Sequence, residues 1–191
     1  MAEPLADQVL RKIGEVCSLY HRLILMVGPA GSGKTSALQE VSASTSAPLV
    51  NVNLELSRRM LYLTERQRAL QLPLLLQDVC ASSVERQASD VLLFDNIEIL
   101  FDVRLKQDPL RLLQGLSRNR TIVAAWPGSV IGSIIDHFAF GKQDTRRSTH
   151  DAGPYLTYAV QDHPEYRRYP IRDLVIVDAS GVERHASGGH L

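Results

Sequence analysis

Cysteine is nearly missing from this chain. The two present, Cys17 and Cys80, lie far apart and belong to no CxxC or Cys/His ligand pattern. That excludes a disulfide-built fold, and both read as small apolar residues of the interior. The six histidines are scattered, none at metal-ligand spacing with another, which argues against a zinc site. No apolar run approaches the roughly 18 residues of a membrane helix. The N-terminal stretch MAEPLADQVLRKIGEV carries charges throughout and no signal-peptide core, so a cytoplasmic location is expected. An excess of either charge is also lacking: 21 basic residues balance 21 acidic ones. A surface that grips nucleic acid over its whole extent is thereby disfavoured, while a local patch is not.

What is present is an ordinary globular composition, 45% hydrophobic and 22% charged over 191 residues, enough for one domain with a substantial core. That domain is expected over residues 1–178, with an amphipathic helix within 1–20 set by Leu5, Val9, Leu10, Ile13 and Val16. Leu23–Val27, Pro48–Asn53, Val91–Asp95, Thr121–Ala125 and Asp173–Val177 read as five strands. Tyr155–Val160 is a candidate sixth. Helices fall between them, from Lys34, over 56–82 and after Asp108-Pro109. Thr64-Glu65-Arg66-Gln67 has capping-box form, and Pro73 reads as the first turn of a restarted helix. Residues 179–191 are Gly/Ser-rich and read as a disordered tail. Alternating strands and helices define an α/β fold with a mainly parallel five-stranded sheet and helices on both faces.

The run LILMV is followed by Gly28-Pro29-Ala30-Gly31-Ser32-Gly33-Lys34-Thr35, which fits G-x-x-x-x-G-K-[ST], the P-loop pattern. Glycines let backbone amides approach an anion closely, and the following helix adds its positive end. Gly28 through Ser36 are therefore the candidate phosphate-binding residues, Pro29, Ala30, Gly31, Ser32 and Gly33 included. Lys34 bridges the β- and γ-phosphates in this pattern, and the Thr35 hydroxyl is a magnesium ligand. The expected cofactors are ATP and Mg²⁺.

A second acidic group comes from VLLFD. Asp95 ends an apolar strand, where a carboxylate can steady Mg²⁺ through water. In many P-loop ATPases a glutamate follows this aspartate. Here Asn96 does, an amide that orients water without taking its proton. Glu98 is the candidate water activator, with a surface glutamate as the plainer reading. One further apolar strand, TIVAA, follows Asp95. This order resembles the P-loop division with an added strand between the two nucleotide-binding strands, that of AAA+ and related ATPases. The added strand there ends in a polar phosphate sensor, where this chain has Ala125-Trp126-Pro127-Gly128-Ser129; core packing is the favoured role for Trp126.

Arg118 and Arg120, just before that strand, are candidate fingers toward a neighbour's γ-phosphate. Arg58, Arg59, Arg66 and Arg68 cluster on one helical region and form a candidate partner or phosphate-backbone surface. HPEYRRYP mixes aromatics with arginines and reads as a tyrosine-anchored loop on the sheet, with a protein or nucleic-acid contact as the alternative. Too little sequence follows Asp178 for the helical lid usual in AAA+ proteins. An open site completed by another subunit, hence a homo-oligomer, is expected.

Four stretches carry a closer resemblance: GPAGSGKT, LLFDNIEILFD, LKQDPLRLLQGLSRNRTIVAAW and HPEYRRYPIRDLVIV. Across roughly residues 20–178 the sequence resembles the BrxF family, the small P-loop proteins of type 3 bacteriophage exclusion (BREX) defence systems. The resemblance implies an ATP-binding component of a multi-protein phage-defence complex, working beside other proteins of that system. It supports Lys34, Thr35 and Asp95 as nucleotide and magnesium residues and leaves Asn96, Glu98, Arg118 and Arg120 open. Contact with DNA, direct or through the complex, is open as well. Three functional readings follow: a magnesium-dependent ATPase or ATP-driven switch, slow or activated by assembly; a module that holds ATP without hydrolysing it; and a small phosphotransferase, with Arg146-Arg147 as a lid pair.

Overall fold

Alternation along the apolar runs decides the architecture. In the computed structural model, which describes residues 3–87, 89–132, 154–159 and 162–181, the runs form one mixed sheet. Its elements are α1 (Leu5–Glu15), β1 (Leu23–Gly28), α2 (Lys34–Thr45), β2 (Leu49–Asn51), α3 (Val52–Met60), α4 (Glu65–Arg86) and β3 (Val91–Asp95), followed by α5 (Pro109–Leu116), β4 (Thr121–Ile131), β5 (Tyr155–Tyr158), β6 (Arg167–Pro170) and β7 (Val175–Asp178). Five strands run parallel in the order β2-β3-β4-β1-β7, so β4 is inserted between β1 and β3 as the strand pattern implied.

Period-two alternation splits the sheet's side chains between two cores. Leu25, Val27, Phe94, Ala124 and Trp126 face α3, α4 and α5, whereas Ile24, Met26, Leu93, Val123 and Ala125 face α1 and α2. Parallel strands covered on both sides must be apolar throughout, which is why β1 and the first half of β4 are buried at every position.

The sheet has seven strands, not five. β4 runs past the parallel layer to Ile131, pairs antiparallel with β5, and β5 pairs with β6. The reading of Arg167–Pro170 as a loop is thus corrected to a strand, although its Tyr169 is buried as an anchor should be. Arginines and a terminal proline masked its alternation; β6 pairs on one side only, a position that tolerates proline. β2 is shorter than expected and stops at Asn51, whose Oδ1 accepts from Leu54 N at 3.0 Å and starts α3.

The capping box at Thr64 and Gln67 is present, as is the Asp108 cap with Pro109 in the first turn of α5. Pro73 does not restart a helix: α4 runs through it. Proline cannot donate to the carbonyl four residues back, here Ala69. The side chain of Gln107 donates to that carbonyl at 2.9 Å, and so replaces the bond that proline forfeits. Residues 133–153, 160, 161 and 182–191, which include Arg146-Arg147, Val160 and most of the expected tail, lie outside the described residues.

Gln107→Leu should therefore lower unfolding stability by about 1–2 kcal/mol, the usual cost of an orphaned buried acceptor. In a Pro73→Ala background, where the backbone N–H returns, the same change should cost much less. Urea unfolding of the four proteins measures both.

Candidate functional site

All five parallel strands point their C-terminal ends the same way, and the loop after β1 emerges there. Gly31 and Gly33 hold φ of 77° and 86°, a left-handed conformation in which any other residue is strained. A side chain at Gly28 would sit 2.6 Å from Ser32 Oγ and 3.0 Å from Ala179 Cβ, so anything larger than glycine would have to displace Ser32 and crowd Ala179 at the start of the loop. α2 begins at Lys34, aiming its first N–H groups into the loop.

Lys34 folds back into that loop. Its Nζ donates to the carbonyls of Gly28 and Pro29, each at 2.7 Å, and to Ser32 Oγ at 3.2 Å. The side chain is buried, and burial lowers its pKa below the ordinary lysine value; Asp95 and Glu98 pull the other way. Ala30, Gly31, Gly33, Lys34, Thr35 and Ser36 line a cleft of about 360 Å³. Gly28, Pro29 and Ser32 are not on its wall; they hold the ammonium from behind.

Asp95, Asn96 and Glu98 line the same cleft from the end of β3. Asp95 is buried, and its Oδ1 accepts from Asn96 N at 3.0 Å. Asn96 takes a left-handed φ of 51°, which breaks the strand and turns the chain into a short 3-10 helix, Glu98–Phe101. This reversal brings Glu98 back beside Asp95. Its carboxylate is exposed and held by Asn53, whose Nδ2 donates to Glu98 Oε2 at 3.1 Å. Asn53 also accepts from Ile99 N at 2.8 Å, and its own N–H donates to the Asn96 carbonyl at 2.9 Å. Sequence reading missed Asn53, because its partners are some 45 positions away. The available signal was a polar residue just past a strand that neighbours β3.

β4 contributes Ala125 and Pro127 to the cleft, while Trp126 points to the opposite face, fully buried, with Nε1 donating to the Thr157 carbonyl at 2.9 Å. Trp126 is thus a core residue, as favoured, and no polar side chain of β4 reaches the cleft among the described residues.

The arginines are not brought to the site. Arg118 and Arg120 precede β4 and sit at its N-terminal end, the far end of the sheet from the loop. Arg118 lies 5.3 Å over the Tyr20 ring, and neither can act on this chain's own phosphates. Of the four helical arginines, Arg59 pairs with Glu55, and Arg68 donates to the carbonyls of Met60 and Leu63, so both are spent on internal contacts.

A glycine loop closing on a helix start, a lysine, a hydroxyl and a strand-end carboxylate at one sheet end, with an added strand between, define a P-loop nucleotide-binding protein of the ATPase type. The model of the AAA family, "ATPase family associated with various cellular activities", matches residues 24–124, over half of the chain, and the chain belongs to that family. No curated protein matches the sequence. β5, β6 and β7 lie beyond the matched residues.

Asn53→Ala should lower ATP turnover about 10- to 100-fold, the cost of a misplaced reacting group, and leave ATP affinity within about twofold. Steady-state phosphate release with calorimetric ATP titration separates the two quantities.

Proposed function

We propose that this protein is a magnesium-dependent ATPase or ATP-driven switch of a multi-protein bacterial phage-defence complex of the BREX type. The observation that carries the ATPase half is one cleft lined by Lys34, Thr35, Asp95 and Glu98. Lys34 and the amides that open α2 bind the phosphates. Thr35 and Asp95 are the two protein oxygens suited to magnesium. Among the described residues no group of three His, Cys, Asp or Glu could hold a metal alone. Magnesium beside a polyphosphate keeps waters and phosphate oxygens and needs only one or two carboxylates, so the pair fits. When bound, it neutralises phosphate charge. Glu98, fixed by Asn53, accepts a proton from the attacking water and orients it.

The defence half rests on the four BrxF-like stretches, which supply the loop, the Asp95–Glu98 turn, α5 with β4, and β6 with β7. AAA proteins often oligomerise, and a second copy is the source of cations that this cleft lacks beyond Lys34. In that assembly Arg118 is the finger proposed to act across the interface; Arg120, the other candidate, has its Nη1 buried within the chain. No helix among the described residues is long and apolar enough to cross a membrane.

A second reading, ATP binding without hydrolysis, is favoured by Asn96 in the usual glutamate position and by the missing polar residue on β4. Phosphate release decides between them. Lys34→Ala should lose ATP binding by at least about 100-fold, whereas Glu98→Gln should bind ATP normally and turn over about 100-fold more slowly. ATP binding with no release, alone, with DNA or with the partner proteins of the system, would establish the second reading. A defence system carrying Lys34→Ala in this subunit should lose phage restriction in plaque counts; unchanged counts would remove the defence role.

A further inference from the structure

The arm formed by the end of β4 with β5 and β6 lies beyond the residues of the family match, yet it is keyed into the cleft from two sides. The first contact is with the cleft wall. Trp126 Nε1 donates to the Thr157 carbonyl at 2.9 Å, and Pro127, the next residue, lines the cleft. Two residues on, a side chain at Gly128 would sit 1.9 Å from that same carbonyl, so β4 and β5 approach too closely for anything but glycine. The second contact is with the turn that carries Glu98. Phe101 ends that 3-10 turn and is 1% exposed. The Tyr158 ring stacks on it at 3.5 Å between centroids and 15° between planes. Trp126 meets Phe101 edge-on at 4.9 Å, and Tyr169 of β6 meets Trp126 edge-on at 5.7 Å. Four aromatic rings thus join the arm, the β4 wall and the acidic turn in one cluster.

We propose that Tyr158 is a positioning residue for Glu98: its ring clamps Phe101, fixes the 3-10 turn, and makes the geometry of the nucleotide cleft depend on the arm. A single 3-10 turn has too few internal hydrogen bonds to be rigid by itself. One end is held by Asn53, and the other by the aromatic stack. Burial, together with the charges of Glu165, in the β5–β6 connection, and of Glu98, pushes the Tyr158 phenol up to about 12, so it stays a proton donor. A displacement of the arm therefore reaches the cleft through the ring.

This inference rests on Glu98 as water activator, and the experiment separates the two. ATP turnover and affinity are measured for Tyr158→Leu, Tyr158→Phe, Glu98→Gln and the Tyr158→Leu/Glu98→Gln double variant. Tyr158→Leu should lower turnover about tenfold with affinity within about twofold, and Tyr158→Phe, which keeps the ring, should recover most of the loss. On top of Glu98→Gln, Tyr158→Leu should cost nothing further. Losses that multiply, or an affinity that falls as far as turnover, overturn the positioning role alone. Full turnover by Glu98→Gln overturns the reading of Glu98 and this proposal with it. Trp126, the only tryptophan of the chain, gives a readout without turnover: a non-hydrolysable ATP analogue should change its emission in the wild-type protein. The change should persist in Tyr158→Phe and vanish in Tyr158→Leu. An unchanged wild-type emission overturns the proposal even if Tyr158→Leu does not fold.

Discussion

One ammonium group, buried where an ammonium should not be, organises this site. Lys34 donates to two backbone carbonyls and a hydroxyl inside the loop, with Asp95 and Glu98 lining the same cleft. Burial lowers its pKa, and the charges of Asp95 and Glu98 oppose that shift without cancelling it. A polyphosphate, with full negative charge, is a stronger acceptor for such an ammonium than neutral carbonyls are. Gly28 serves the same arrangement: an added Cβ would press on Ser32 Oγ, which shares the ammonium with the Gly28 carbonyl.

The cation has meaning only because the sheet delivers carboxylates to it. Inserting β4 between β1 and β3 sets the spacing between the loop and Asp95, and the parallel register puts Gly28 opposite Pro127 while Asp95 lies opposite Asn51. Asn51 and Asn53 then do different work from adjacent turns. The first caps α3, and the second ties Asn96, Glu98 and Ile99 into one bracket. The left-handed Asn96 is the pivot of that bracket. An amide side chain tolerates this backbone better than glutamate would, so the residue that departs from the common ATPase pattern is also the one whose conformation returns Glu98 to the cleft.

Much of this was legible in the chain. GPAGSGKT, the apolar run before it and the terminal aspartate of VLLFD fixed the loop, two strands and the acidic partner, because each rests on local chemistry at fixed spacing. What was not legible depended on contacts between distant residues. Pro73 reads as a helix boundary until Gln107, in another segment, is seen to satisfy Ala69. β6 reads as a loop because Arg167, Arg168 and Pro170 obscure its single buried tyrosine. The placement of Arg118 and Arg120 could have been read: residues that precede a parallel strand lie at its N-terminal end, away from the crevice where ligands bind.

β4 poses the sharper question of how the cleft distinguishes a triphosphate from a diphosphate. A polar side chain at the end of this strand would do so directly, but alternation sends Trp126 into the core and leaves Ala125 and Pro127 on the wall. Neither offers a side-chain donor, and proline has lost even its backbone N–H. Any response to the γ-phosphate must then arise elsewhere on the wall. In the P-loop pattern the lysine reaches the β-phosphate, which both nucleotides carry, so Lys34 would discriminate poorly. Under the proposed mechanism Glu98 differs: it would face the attacking water, whose position depends on the terminal phosphate, and it sits on a turn contacted by Asn53 at one end and Tyr158 at the other. With no polar side chain of β4 on the cleft wall among the described residues, the proposed mechanism puts detection on the acidic turn and the aromatic cluster packed against it.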